Sequence, residues 1–297
     1  MNFHNLQTLI GSRKTTFSMS NPTDSFVVSG AKHPYIEPFF TKSMFEVERP
    51  TVLLVSAVGA TGKTALAQVL SHNLQLPLLN LTRHKPVGDS TLTGLVTASY
   101  PLHQIGSILE ALAAGTYGII IDGIDEGRSK TTEQGFQAFL DDIALRCKGA
   151  TSPTFVLLGR TQILEECWMA LEERGVSTGL LTIDPFSKQQ ACSYIDNFTN
   201  GTKSAQALQY IDARDLILTK LSTAFTGGDT EHDGTFLSFI GYPPVLDAIV
   251  TLLSTETNYH KLREQITHAS SQHIEIELLR KISEYILTHC CPANVAV

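Results

Sequence analysis

The stretch that most limits what this chain can become is Val52-Leu53-Leu54-Val55, followed by Ala57-Val58-Gly59-Ala60-Thr61-Gly62-Lys63-Thr64. Four consecutive apolar residues suit a strand buried on both faces of a parallel sheet. Beyond the loop, Ala65-Leu66-Ala67-Gln68-Val69-Leu70 combines good helix formers with apolar residues at helical spacing. A strand, a Gly-Lys-Thr loop and a helix in that order read as a cradle for nucleotide phosphates. Gly59 and Gly62 let the backbone curl so that successive N–H groups point inward, and the helix starting near Gly62 adds the positive end of its dipole. Lys63 would reach the β- and γ-phosphates, and the Thr64 hydroxyl would ligate magnesium. The usual first glycine of such a loop is Ala57 here.

A second motif completes the first. Tyr117-Gly118-Ile119-Ile120-Ile121-Asp122 is an apolar strand ending in a carboxylate, and Gly123-Ile124-Asp125-Glu126 follows it. Asp122 would hold the magnesium shell, and Asp125 or Glu126 would polarise a water. A buried strand followed by an acidic turn would explain this motif alone, but not both motifs in this order. Glu126 has the longer side chain and can reach back from the turn.

At these residues the chain resembles NACHT-type members of the STAND class of signal-transduction ATPases, which place a small residue directly after the magnesium aspartate. Ordinary AAA+ proteins place glutamate there, where this chain has Gly123. The resemblance covers roughly residues 51–253. It implies an α/β, three-layer P-loop NTPase with a five-stranded parallel sheet, followed by a small all-α lid. The segments expected are a lead over 1–45, the NTPase domain over 46–184 and the lid over 185–297. It also implies ATP or ADP with Mg2+ as cofactors. Phe155-Val156-Leu157-Leu158-Gly159-Arg160 would be the strand beside the phosphate-loop strand, with Arg160 as a γ-phosphate sensor. A charged residue leaving a buried strand must also emerge at one end of a sheet, so exposure alone would place Arg160 similarly. Gly241-Tyr242-Pro243 resembles the family element whose proline packs on adenine, although a proline at a helix start is favoured for conformational reasons anyway.

Other segments follow from pattern. Leu76–Leu81 and Leu180–Ile183 read as strands. Thr131 and Gln134 have capping-box spacing before a helix that carries Phe136, Phe139, Leu140 and Ile143 on one face, and Ser187 and Gln190 repeat the spacing. Helices are expected over 105–113, 164–174, 205–221, 243–253 and 274–286, with a Gly/Asp/Thr-rich loop over 226–234.

The 297 residues, 42% hydrophobic and 17% charged, suffice for a packed core. A net charge of −7 disfavours nucleic acid over most of the surface. The five cysteines lack metal-finger spacing and suit reduced thiols in a cytoplasmic protein, and no apolar run is long enough to span a membrane. The function that the resemblance to NACHT-type STAND ATPases implies is an ATP-binding, slowly hydrolysing signalling switch that engages a protein partner or self-associates. The alternatives are an AAA+-like remodelling ATPase and a nucleotide-binding pseudo-ATPase. Remodelling would need an arginine finger, and nothing marks Arg128, Arg146 or Arg174 as one. A kinase would need an Arg-rich lid, whereas 184–253 holds only Arg214, and a GTPase would need an Asn-Lys-x-Asp motif that is absent.

Overall fold

The computed structural model describes residues 1–11, 17–30, 35–83, 86–147, 149–199, 201–203, 205–226, 239–268 and 280. Apart from Arg280, the expected helix over 274–286 lies outside these residues, as does all of the 226–234 loop beyond Thr226. The chain divides into two compact units, Met1–Asp184 and Pro185–Val297.

The first unit holds one sheet. Its strands in chain order are β1 (Phe26–Val27), β2 (Phe40–Phe45), β3 (Val52–Ser56), β4 (Leu78–Asn80), β5 (Ile119–Asp122), β6 (Phe155–Gly159) and β7 (Thr178–Ile183). They lie side by side as β1-β4-β5-β6-β3-β7-β2. The five central strands are parallel, as their unbroken apolar runs require. The expectation of a five-stranded parallel sheet is corrected to a seven-stranded mixed one. β1 pairs antiparallel with β4, and β2 pairs antiparallel with β7. Both come from the segment before residue 46. β1 is two residues long, and β2, Phe-Thr-Lys-Ser-Met-Phe, is half polar and exposes its middle residues, as an incompletely buried edge strand does. Neither has a periodicity that would announce it.

Alternate residues of each strand feed two separate cores. Val52, Leu54, Ile119, Ile121, Phe155 and Leu157 face α3 (Thr91–Ser99), α4 (Leu102–Ala113), α6 (Glu133–Cys147) and α7 (Thr161–Glu173). Leu53, Val55, Ile120, Val156, Leu158 and Leu181 face α1 (Phe3–Ile10) and α2 (Lys63–Leu74). The short α5 (Ile124–Ser129) sits at the end of β5. The result is a helix–sheet–helix sandwich.

Phe136, Phe139, Leu140 and Ile143 of α6 are all buried, as their spacing predicts. Its cap differs from expectation. The Gly135 N–H donates to Thr132 Oγ1 at 3.1 Å, while the Thr131 hydroxyl donates to Val87 O at 2.7 Å. Thr132 is the cap because Thr131 is drawn off to tether the loop before α3.

The second unit is helical in its described residues: α8 (Lys188–Thr199), α9 (Ala207–Thr226), α10 (Pro243–Thr255) and α11 (Tyr259–His268), with one 3-10 turn at Gly201–Lys203. Ser187 and Gln190 form the expected capping box, with bonds of 2.8 and 3.3 Å in the two directions. Ile195, Ile217, Leu218, Leu246, Ile249 and Leu253 make a core of their own. The buried Arg214 guanidinium is paired with Asp196 and Asp215, which answers the desolvation of its charge. α11 was not legible in the sequence, since its 10 residues are mostly polar and, among those whose burial is described, only Leu262 and Ile266 are buried.

Candidate nucleotide site

β3 lies between β6, which precedes β7 in the chain, and β7 itself, while β4 lies three places away. The connection leaving β3 therefore runs to one side and the later chain returns on the other. The carboxyl ends of the strands at such a reversal are where open α/β sheets hold ligands. The loops leaving β3, β5 and β6 all start there, and they carry Lys63, Asp122, Asp125, Glu126 and Arg160.

The loop from β3 is tied down by its own backbone and by β6. The Ala57 N–H donates to Gly159 O at 3.3 Å, and the Thr61 hydroxyl donates to Val58 O at 2.7 Å. Gly62 has φ +87°, a left-handed conformation that glycine adopts freely, and α2 begins at the next residue. Ala60 also has a positive φ, 59°, which is strained for a residue with a Cβ. The curl leaves the first N–H groups of α2 beside the loop, with no acidic side chain in the first turn to compete for them. Lys63 folds over the loop and donates to Ala57 O at 3.2 Å and Val58 O at 2.9 Å. Burial lowers its pKa, opposed by Asp125, Asp122 and Glu126.

Asp122 is 2% exposed and accepts from the Thr64 hydroxyl through Oδ2 at 2.7 Å. Burial raises its pKa, partly offset by that hydrogen bond and by Lys63. Next along the chain, the Gly123 N–H donates to Leu158 O at 3.2 Å, and Gly123 takes φ +81°. Asp125 Oδ2 accepts from Arg160 Nε at 2.9 Å, with the arginine 67% and the aspartate 14% exposed. The remaining oxygens, Asp125 Oδ1 and Glu126 Oε2, are buried without a hydrogen-bond partner. Burial raises the Glu126 pKa, and the adjacent Asp125 raises it further.

The candidate residues from Ala57 to Ala65, together with Asp122, Asp125, Glu126 and Arg160, thus fall at one end of one sheet. Pro243 opens the first turn of α10 in the second unit, with Tyr242 as its N-cap. Sequence reasoning missed Gly159. A Cβ there would lie 3.2 Å from Ile124 Cβ, so its absence lets α5 approach β6 and brings Asp125 to Arg160. A glycine ending an apolar strand is the one signal that pointed to it.

Asp122 Oδ2 and Thr64 Oγ1 offer adjacent hard oxygens, and two further buried carboxylate oxygens stand near without donors, which is a donor set that fits magnesium. Among the described residues no three His, Cys, Asp or Glu side chains surround a single point as an all-protein metal cage would. Magnesium sites of one carboxylate, one hydroxyl and substrate phosphates need no such cage. Cys147, Cys167 and Cys192 are free thiols, and burial holds the Cys147 pKa up to about 12, an unreactive state. No helix among the described residues is long and apolar enough to cross a membrane.

No known family profile matches the chain, and no curated protein matches it. Solved structures do. The Walker-type ATPase of Pyrococcus abyssi is 13% identical, with 80% of this chain and 73% of that chain covered and a TM-score of 0.46. A RuvB mutant of Thermotoga maritima is 16% identical, with 80% and 69% covered and a TM-score of 0.33. At these values the likeness is distant, and the chemistry of the site rests on this chain's own residues.

Proposed function

We propose that this chain binds ATP on the loop from Ala57 to Ala65 and hydrolyses it slowly, as a NACHT/STAND-like switch whose partner binding or self-association follows the nucleotide. The observation that carries the reading is the convergence of Lys63, the Thr64–Asp122 hydrogen bond and Arg160 from the ends of β3, β5 and β6. In this reading the loop N–H groups and α2 hold the phosphates, and Lys63 exchanges its two carbonyl acceptors for phosphate oxygens. Thr64 and Asp122 would hold magnesium, which when bound supplies charge neutralisation at the β- and γ-phosphates. Arg160 faces the γ-phosphate.

In the hydrolytic step the oxygen of water bonds to the γ-phosphorus while the bond to the bridging oxygen breaks. ADP leaves with that electron pair. A carboxylate from the acidic turn takes the water's proton and passes it to the products or to solvent.

The remodelling alternative is weakened by the ion pairs of three arginines. Arg128 is paired with Glu133 and Glu166, Arg146 with Asp142, and Arg174 with Asp141. Each arginine is held within its own chain rather than extended toward a neighbour. The test of the proposal is calorimetry of ATP and ADP binding with and without magnesium, with particle size measured in each nucleotide. Binding of ATP together with a size or partner change between ATP and ADP is the expected result. Absence of nucleotide binding would overturn the reading.

A further inference from the structure

Two acidic residues follow one another in the turn after β5, and their surroundings differ. Asp125 reaches sideways: its Oδ2 holds Arg160 Nε at 2.9 Å, from the strand end of β6. Glu126 reaches backward, toward the residue directly after Asp122. A Cβ built on Gly123 would stand 3.0 Å from Glu126 Oε2, so the glutamate carboxylate fills the space that a side chain at position 123 would take. A glutamate three residues into a helix commonly folds back to accept the N–H of the capping residue. That role is not made here, because the Gly123 N–H is already given to Leu158 O at 3.2 Å. Glu126 Oε2 is left buried without any donor. Asp125 Oδ1 is buried without a partner too, so what separates the acids is the ion pair: Asp125 is held by Arg160, and Glu126 is in no ion pair among the described residues.

We infer that the two acids divide the work of the site: Glu126 is the catalytic carboxylate that polarises water, and Asp125 is a positioning residue that holds Arg160 until a γ-phosphate takes it. The inference rests on reading the loop from Ala57 to Ala65 as a nucleotide site. Asp125 then acts as an internal stand-in for the γ-phosphate. Arg160 exchanges one anion for another when ATP binds and returns to Asp125 when ADP remains. The exchange sets how strongly the site distinguishes ATP from ADP. A guanidinium can make the exchange with little rearrangement because it is two-thirds exposed and pivots at the end of a strand.

The experiment measures ATP and ADP affinities and single-turnover hydrolysis for the wild type, Asp125→Asn, Asp125→Ala, Glu126→Gln, Arg160→Gln and the double variant D125N/R160Q. Freeing Arg160 should raise the preference for ATP over ADP about three- to fivefold in both Asp125 variants, the scale of a partly exposed ion pair. The gain should vanish on the Arg160→Gln background, which a general structural effect of Asp125 would not predict. Turnover should fall about 100-fold or more in Glu126→Gln with ATP binding kept, and by no more than about tenfold in the Asp125 variants. An unchanged or reduced ATP preference in both Asp125 variants would overturn the division, as would Asp125→Asn losing turnover while Glu126→Gln keeps it. If the wild type binds no nucleotide, the underlying reading of the loop fails and this one falls with it. Wild-type binding with the wrong variant pattern removes only the division of labour.

Discussion

The Thr64 hydroxyl, in the first turn of α2, donates to Asp122 Oδ2 at the end of β5 at 2.7 Å, across 58 residues of sequence, although β3, which leads into α2, is not a neighbour of β5 in the sheet. β6 lies between them, and its end is bonded to both loops, through Gly159 O to Ala57 and through Leu158 O to Gly123. The geometry of the pair is therefore set by the ladder of three parallel strands rather than by either loop alone. A site built on strand ends is held more firmly than one built on free loops.

Lys63→Ala removes the cation that the cradle supplies. ATP affinity should fall by about 3 kcal/mol, two charge-assisted hydrogen bonds' worth, which is roughly 100-fold. Thermal stability should hold or rise slightly, since burial already disfavours the charged lysine. Calorimetry and a melting curve check both halves, and unchanged affinity would contradict the cradle.

Asp122→Asn should separate binding from stability. Burial raises the Asp122 pKa above its ordinary 3.8, so the folded chain holds that proton more tightly than the unfolded one. The contribution of this group to stability is present at low pH and is lost as pH rises through the raised value. The asparagine variant should match the wild type at acidic pH and exceed it at neutral pH, in the absence of nucleotide. Its ATP affinity should lose its dependence on magnesium, so that EDTA weakens ATP binding by the wild type and leaves that of the variant alone. Denaturation across pH and a chelator titration test the two statements separately.

Ala60→Gly should stabilise the chain by about 1 kcal/mol, because a left-handed backbone strains any residue with a Cβ. The φ of 59° at Ala60 motivates this. A drop in the denaturant midpoint would show that the loop does not hold that conformation in solution.

Gly123→Ala should act in the opposite sense. The φ of +81° costs a non-glycine residue about 1–2 kcal/mol. The new methyl would also meet Glu126 Oε2 at 3.0 Å and Thr82 Cγ2 at 3.2 Å. Loss of stability accompanied by slower hydrolysis at saturating ATP is expected. Full turnover in a folded Gly123→Ala protein would show that the position of Glu126 does not matter.

The sequence by itself determined the parts of this protein whose causes are local. A strand buried on both faces must be a continuous apolar run, so β3, β5 and β6 were legible from Val52, Ile119 and Phe155 onward. A phosphate-type loop needs glycine, lysine and threonine at fixed spacing, so Lys63 and Thr64 were legible too. Only the tertiary structure decided what depends on the order of the strands. β1 and β2 form because edges of the sheet are free to accept them, and edge strands carry no signal of their own. The ion pair of Asp125 with Arg160 follows from β5 lying beside β6, and the buried, donorless Glu126 oxygen follows from Gly123 having given its N–H to Leu158. Local chemistry names the residues, but a hydrogen-bonded ladder between distant segments decides which of them touch.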